Sequence, residues 1–311
     1  MIPYLLPLLL IATGVLGQGR AVAITFDDLP DLSGDEHSVE QTTAMMQKLI
    51  AGVAAQRLPA IGFVNEEKLL DEANQKNDPR LVALLDAWLA SGFDLGNHTF
   101  AHVDLHQVGV PAFEDDIVRG EAVTRMLCDK YHRPLKWFRH PYLDTGRSLS
   151  DREQVEAFLA AHGYEIAPVT IDNSEWIYGL AYEKAASALT RWRVRNAYIR
   201  YMAARFAWYE TRSQALFNRQ IRQVLLLHAD TLNADTFPRL VRMIRRRGYR
   251  FITIDEALTD SAYRSRDTWI ADGGVSWIER WGVTRGVSQA VFDRDPPADP
   301  WIVKLAGVKE E

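Results

Sequence analysis

From residue 21 onward, short apolar runs alternate with amphipathic stretches, and that rhythm limits the folds open to the chain. AVAITF (21–26), AIGFV (60–64), FDLGN (93–97), LKWF (135–138), YEIAPVTI (164–171), VLLLH (224–228) and YRFITI (249–254) read as buried strands. Between them, 38–56, 79–91, 111–132, 150–162 and 234–247 carry helical spacing. In 79–91, Leu81, Leu84, Leu85 and Trp88 share one face, and Gly248 stands where the last helix must stop. Strands alternating with helices predict an α/β fold with a parallel sheet and crossover helices. Seven such units predict a distorted (β/α)7-type barrel rather than an open sheet. Chemistry in such barrels sits at the C-terminal ends of the strands.

Two segments break the rhythm. Residues 176–222 are helical, with Leu189, Trp192, Ile199, Met202, Phe206 and Tyr209 near helical spacing, and read as a hairpin inserted between strands. They hold nine Lys or Arg and two acids among ten aromatics. Such a stretch either binds an acidic glycan or buries one aromatic face with its Arg solvated. Residues 261–311, with Trp269, Trp277, Trp281, Trp301 and the run DPPADP, read as an irregular extension packed on the barrel. The barrel is expected over 18–260.

The first 17 residues, MIPYLLPLLLIATGVLG, carry no charged side chain and fit a secretory signal peptide, with export to the periplasm or outside the cell. A buried first element or an uncleaved anchor is the alternative. Removing the segment leaves no stretch expected to span a membrane. With 311 residues and 47% apolar content the chain can bury a large core, as one domain or two. A net charge of −5 gives no argument for nucleic acid. The single cysteine, Cys128, excludes an internal disulfide and a thiolate metal site.

Candidate functional residues fall where the strands end. Asp27-Asp28, His98, Arg139 and His228 each follow directly on a predicted strand. His98 and His102, four apart, present both imidazoles on one side of a helical turn, as a shared metal requires. Taken alone, such a pair is more often two unrelated histidines. Asp27-Asp28 alone reads as a solvated turn or a helix cap, although burying two adjacent carboxylates needs a cation. Two His and one Asp with open positions suit zinc and other divalent ions that acidify water.

Together these residues resemble the NodB-homology polysaccharide deacetylases, carbohydrate esterase family 4. TFDD (25–28), HTFAHVDL (98–105) and FRHPY (138–142) match its first three motifs, TIDNSEW (170–176) approximates the fourth and LLLH (225–228) supplies the fifth, in order over 21–258. His140 stands where the family has Pro, Leu143 where Gly is common, and Glu175 where Asp is usual. The resemblance implies a hydrolase of carbon–nitrogen bonds acting on an N-acetylated or O-acetylated glycan. Asp27 would be the base, and Asp28, His98 and His102 would ligate a divalent ion, zinc first, with Co2+, Mn2+ or Ni2+ as alternatives. Arg139 would hold the base, and the Tyr142 backbone N–H would donate to the oxyanion. His228 would be the acid, with Asp172 hydrogen-bonded to it, Trp176 walling the site and Leu226 lining the acetyl pocket. A hydrolase of a cyclic amide or other small substrate, and a non-catalytic glycan binder, are the competing readings.

Overall fold

β1 (Ala21–Leu29) is the axis of the sheet in this computed structural model, which describes residues 19–71, 73 and 75–308. The predicted signal peptide lies outside those residues. All seven strands of the main sheet run parallel, six of them in the order β5–β4–β3–β2–β1–β6. They are β2 (Ala60–Val64), β3 (Asp94–Asn97), β4 (Trp137–Phe138), β5 (Glu165–Ile166), β6 (Gln223–His228) and, off that path, β7 (Arg250–Ile252). β6 pairs with residues 22–27 of β1, so β7 (on 21–23) and β2 (on 24–29) must share the other edge. β7 thus sits beside β2 along that edge of β1, and the seven parallel strands form the curled sheet of the expected barrel-like fold. The sheet curls until Ile171 bridges Leu225, which joins the β5 side to β6.

The predicted strand 164–171 is broken because Pro168 has no N–H to give a ladder. β5 ends at Ile166, and the chain then changes partner, Ala167 N donating to Phe138 O and Thr170 N to Val224 O. Alternation along β1 sorts its side chains. Val22, Ile24 and Phe26 join the large core under the helices. Ala21 and Ala23 join the small core inside the curl, with Ile61, Phe63, Trp137 and Val224. Thr25 and Asp27 continue that inner row, which aims Asp27 at the mouth of the curl.

The helices α1 (Val39–Gln56), α2 (Pro79–Ala90), α5 (Leu149–Ala161) and α8 (Thr231–Arg246) agree with the sequence pattern. A capping box between Ser38 and Gln41 starts α1. The predicted helix 111–132 is two helices, α3 (Val110–Arg119) and α4 (Ala122–Lys130). At the break, a Cβ on Gly120 would lie 2.5 Å from the Thr99 backbone carbon, so only glycine permits this approach. The contact serves the site: Asp116 accepts from Phe100 N through its carbonyl and from Ala101 N through its carboxylate. The carboxylate of Glu66, in the turn after β2, accepts from Val123 N and Thr124 N and so caps α4 from outside the helix.

The insertion is a hairpin of α6 (Glu175–Glu183) and α7 (Ala188–Phe217). Phe206 is buried and Ile199 partly so, but Trp192, expected on the same packed face, is 55% exposed. Of its arginines only Arg205 is buried, and Arg191, Arg193 and Arg200 are exposed. Arg205 is buried and donates to the Asp172 carbonyl and Tyr209, while Arg193 lies over Trp301 and Arg212 over Trp208. The extension contributes α9 (Trp277–Thr284) and α10 (Pro300–Ala306) between irregular stretches.

Candidate active site

Five strained residues mark the mouth of the curl. Asp28, Thr99, His102, Tyr142 and Leu143 all have φ between 52 and 65° without being glycine. Such backbone is unfavourable for an L residue and persists where surrounding structure enforces it, most often at functional sites. Thr99 is held by Asn97, whose Oδ1 accepts its N–H at 2.7 Å, and Asn65 Nδ2 donates to the His98 carbonyl at 2.6 Å. Strand-end polar residues thus fix the loop that carries both predicted histidine ligands.

His98 is buried, and its Nδ1 lies 2.8 Å from the Arg139 carbonyl. A carbonyl only accepts, so Nδ1 carries the proton and Nε2 is left as a lone pair. That nitrogen lies 3.8 Å from Asp27 Oδ2, and His102 Nε2 is 3.8 Å from Asp28 Oδ1. Ligand atoms of Asp28, His98 and His102 all lie within 4.8 Å of one another. A carboxylate and two imidazoles, one locked in the ligating tautomer by its far nitrogen, form a donor set that fits a divalent cation. The cation now on Asp28 is Lys68, whose Nζ donates to Oδ1 at 3.0 Å. Burial opposes charge on Asp28, yet Lys68, His102 and His98 hold its carboxyl far below the usual range. Burial, with His102 beside it, drives His98 well below the ordinary imidazole range, so it is neutral as a ligand must be.

Asp27 differs from its neighbour although both are buried. Its Oδ2 accepts from Arg139 at 3.2 Å, and its Oδ1 has no protein partner among the described residues. Burial pushes the carboxyl up to about 6 while Arg139 pulls it back. Arg139 is itself fully buried, 4.7 Å over the Phe63 ring, with a second donation to Thr25 Oγ1 at 3.1 Å. Two adjacent carboxylates are thereby separated in character, one permanently ionised and one poised near neutrality.

Across the mouth, His228 meets a partner other than the one expected. Its Nδ1 lies 2.9 Å from Glu175 Oε2, and Glu175 Oε1 accepts from the His228 backbone N and from Asn233 Nδ2, each at 2.7 Å. Asp172, predicted to hold His228, instead accepts from Asn173 N, and its carbonyl is taken by Arg205. The correction follows from the loop: residue 175 opens α6 and its carboxylate reaches the His228 backbone and ring at the end of β6, whereas the residue 172 carboxylate is held by the next backbone N–H. Burial disfavours the charged imidazole, but Glu175, Asp28 and Asp27 together raise His228 to about 9. Trp176 is half-buried against the core in the first turn of α6, and Leu226 is buried in β6 opposite Thr25. Tyr142 is 56% exposed, its ring 4.5 Å from that of His102.

Three further contributors, Lys68, Glu66 and Asn65, are not singled out by the sequence pattern. All lie in NEEKL, directly after β2, where the rule that points to Asp27 and His98 would also find them. His140 raises a separate question. It is buried, stacked on Phe113 with 9° between ring planes, and neither ring nitrogen has a protein partner among the described residues. Burial, with Arg280, Arg152 and Arg139 nearby, lowers it to about 3. The unfolded chain therefore takes up this proton first, near pH 6.5, and stability falls as pH drops from there toward 3. Between pH 7 and 5 this one group should cost about 2 kcal/mol. His140→Leu should remove that share of the acid loss, seen as a smaller drop in Tm between pH 7 and 5. An unchanged pH dependence would refute the assignment.

Comparison with known proteins finds a family match over part of the chain. A polysaccharide deacetylase family model matches residues 16–166, which hold the first three motifs; the fourth and fifth lie beyond it. Among solved structures, a family 4 carbohydrate esterase from Streptomyces lividans is 18% identical, with a TM-score of 0.46, covering 78% of this chain and 96% of its own. A peptidoglycan deacetylase from Bacillus subtilis is 17% identical, with a TM-score of 0.49 over 79% and 94% of the two chains. A family 4 pseudoenzyme from Bacillus anthracis is 13% identical, with a TM-score of 0.48 over 78% and 66%. The matched region carries both strained loops and all three candidate ligands, and over those residues the chain is similar to the polysaccharide deacetylase family.

Proposed function

We propose that the chain is a divalent-metal hydrolase that removes acetyl groups from an N-acetylated glycan such as peptidoglycan or a chitin-like oligosaccharide, with O-acetyl esters as the second substrate class. One observation carries this reading: an unpaired oxygen of Asp27 and an imidazole backed by a carboxylate face each other across the Asp28, His98 and His102 cluster. Held by those three, a cation (zinc suits the donors best) would polarise the acetyl carbonyl and acidify the attacking water. Asp27 takes a proton from that water as its oxygen bonds to the carbonyl carbon. Arg139 keeps Asp27 oriented through this step. The Tyr142 backbone N–H is assigned to the oxyanion, and His228 gives a proton to the departing nitrogen as the C–N bond breaks, leaving acetate and an amine. Asp172 acts at a distance on Arg139 and His228 through its charge. The exposed Tyr142 ring at the mouth gives a flat surface for a sugar, and Trp176 and Leu226 are assigned to the wall and the acetyl pocket.

The deciding experiment is acetate release from chitooligosaccharides, peptidoglycan and acetylated xylan, with and without chelator. Release that chelation abolishes and a divalent ion restores is expected. Binding of the same glycans with no acetate released under any metal would favour a binder; release only from small cyclic amides would favour the other hydrolase. We also propose export, on the apolar segment ahead of the matched domain; cell fractionation with N-terminal sequencing tests it.

A further inference from the structure

A second group of ligating side chains draws on the segments that follow the two strained loops. His106 stands four residues beyond His102, in the turn that Asp104 caps by accepting from His106 N at 2.8 Å. Asp144 stands two residues beyond Tyr142, and Asp272 comes from the extension, outside the family match. Ligand atoms of His106, Asp144 and Asp272 all lie within 4.8 Å of one another.

The cluster is more than an acidic surface. Asp144 is 1% exposed, and while its Oδ1 accepts from Gly146 N, its Oδ2 has no hydrogen-bond partner among the described residues. That oxygen faces His106 Nδ1 at 3.8 Å, a nitrogen also enclosed and unpartnered among the described residues. The Gly146 and Gly273 backbone N–H groups both act on the same carboxyl and pull it down, against burial. A buried carboxylate oxygen left unmatched costs free energy that a cation would recover. Burial, aided by the nearby Asp104 charge, raises the Asp144 carboxyl, as expected of an acid whose partner is missing.

We propose that His106, Asp144 and Asp272 bind a second divalent cation of the transition series, separate from the one assigned to Asp28, His98 and His102. One imidazole and two carboxylates suit zinc, manganese or iron better than calcium, which takes oxygen ligands alone. The position gives the ion a purpose. The extension already grips the Tyr142 loop: Gly274 N donates to the Tyr142 carbonyl at 3.0 Å, and Arg280 donates to Thr145 Oγ1 at 2.7 Å. A Cβ on Gly274 would lie 2.3 Å from the Tyr142 carbonyl oxygen. An ion joining Asp272 to His106 and Asp144 ties the extension to both loops that build the catalytic mouth.

The test counts ions in the full chain, free of any histidine tag. Metal-stripped protein is dialysed against Zn2+ alone, and separately against Mn2+ alone, and metal per chain is measured. Asp272→Ala and His106→Ala should each bind one ion fewer than the parent, and Asp272 is exposed enough that its loss leaves the fold intact. His98→Ala should lose a different ion, so that the His98→Ala, Asp272→Ala pair binds none. A parent count unchanged in both Asp272→Ala and His106→Ala overturns the second site, whatever His98→Ala does. If instead His98→Ala changes nothing while Asp272→Ala loses an ion, the first site's assignment fails and this one stands.

Discussion

Asp27→Asn is expected to keep the metal and lose on the order of 10²–10⁴ in kcat, the loss typical of a general base. The substitution preserves the shape of the side chain, so Arg139 can still donate to the remaining carbonyl oxygen. What disappears is the acceptor for the proton of water. Asp28→Asn is the contrasting variant, because it weakens a ligand and should lose metal and activity together. The Asp27 change will also cost stability. It strips the opposite charge from a fully buried guanidinium, and breaking a buried pair costs about 3–5 kcal/mol. Activity must therefore be compared below the lowered Tm, with metal per chain measured on the same sample. Parent-level kcat in metal-loaded, folded Asp27→Asn would remove Asp27 from the chemistry.

How much of the fold and the site is legible in the sequence follows from the range of the interactions. Strand ends are legible because period-two alternation is local, and it puts Asp27 and Phe26 on opposite faces of β1. The two-histidine spacing is legible for the same reason. The break of 111–132 is not, because its cause is the backbone of Thr99, well upstream of Gly120 in the chain and touching it only in the fold. The exposure of Trp192 is hidden likewise: helical spacing says which residues share a face, not how far along the helix its cover extends. The exchange of Asp172 for Glu175 behind His228 turns on which side of one loop faces β6. A family motif fixes the residues present there without fixing that orientation. Asp272 cannot be paired with His106 from sequence at all, since nothing local links a loop in the extension to a turn more than a hundred and fifty residues earlier.

Glu175→Gln is expected to cost on the order of 10²–10⁴ in kcat, nearly as much as His228→Ala, with metal content unchanged. Glu175 Oε1 is committed to two donors, the His228 backbone N–H and Asn233 Nδ2, so an amide at this position keeps its oxygen there. Its NH2 must then face His228 Nδ1, which can meet it only as an acceptor. The imidazole is driven into the tautomer with its single proton on Nε2, and it loses the carboxylate that stabilises the doubly protonated form. A neutral imidazole gives up its last proton far too reluctantly to serve a leaving amine. Glu175→Asp keeps the charge on a side chain one methylene shorter, and should recover part of the loss. Asp172→Asn should change kcat much less than Glu175→Gln, because no hydrogen bond joins residue 172 to the imidazole. The ordering Gln below Asp below parent at position 175 separates a proton-holding role from a packing role, which would penalise the shorter Asp more than the isosteric Gln. If Asp172→Asn were the more damaging of the two, the acid would be tuned from residue 172 and the assignment of Glu175 would fall.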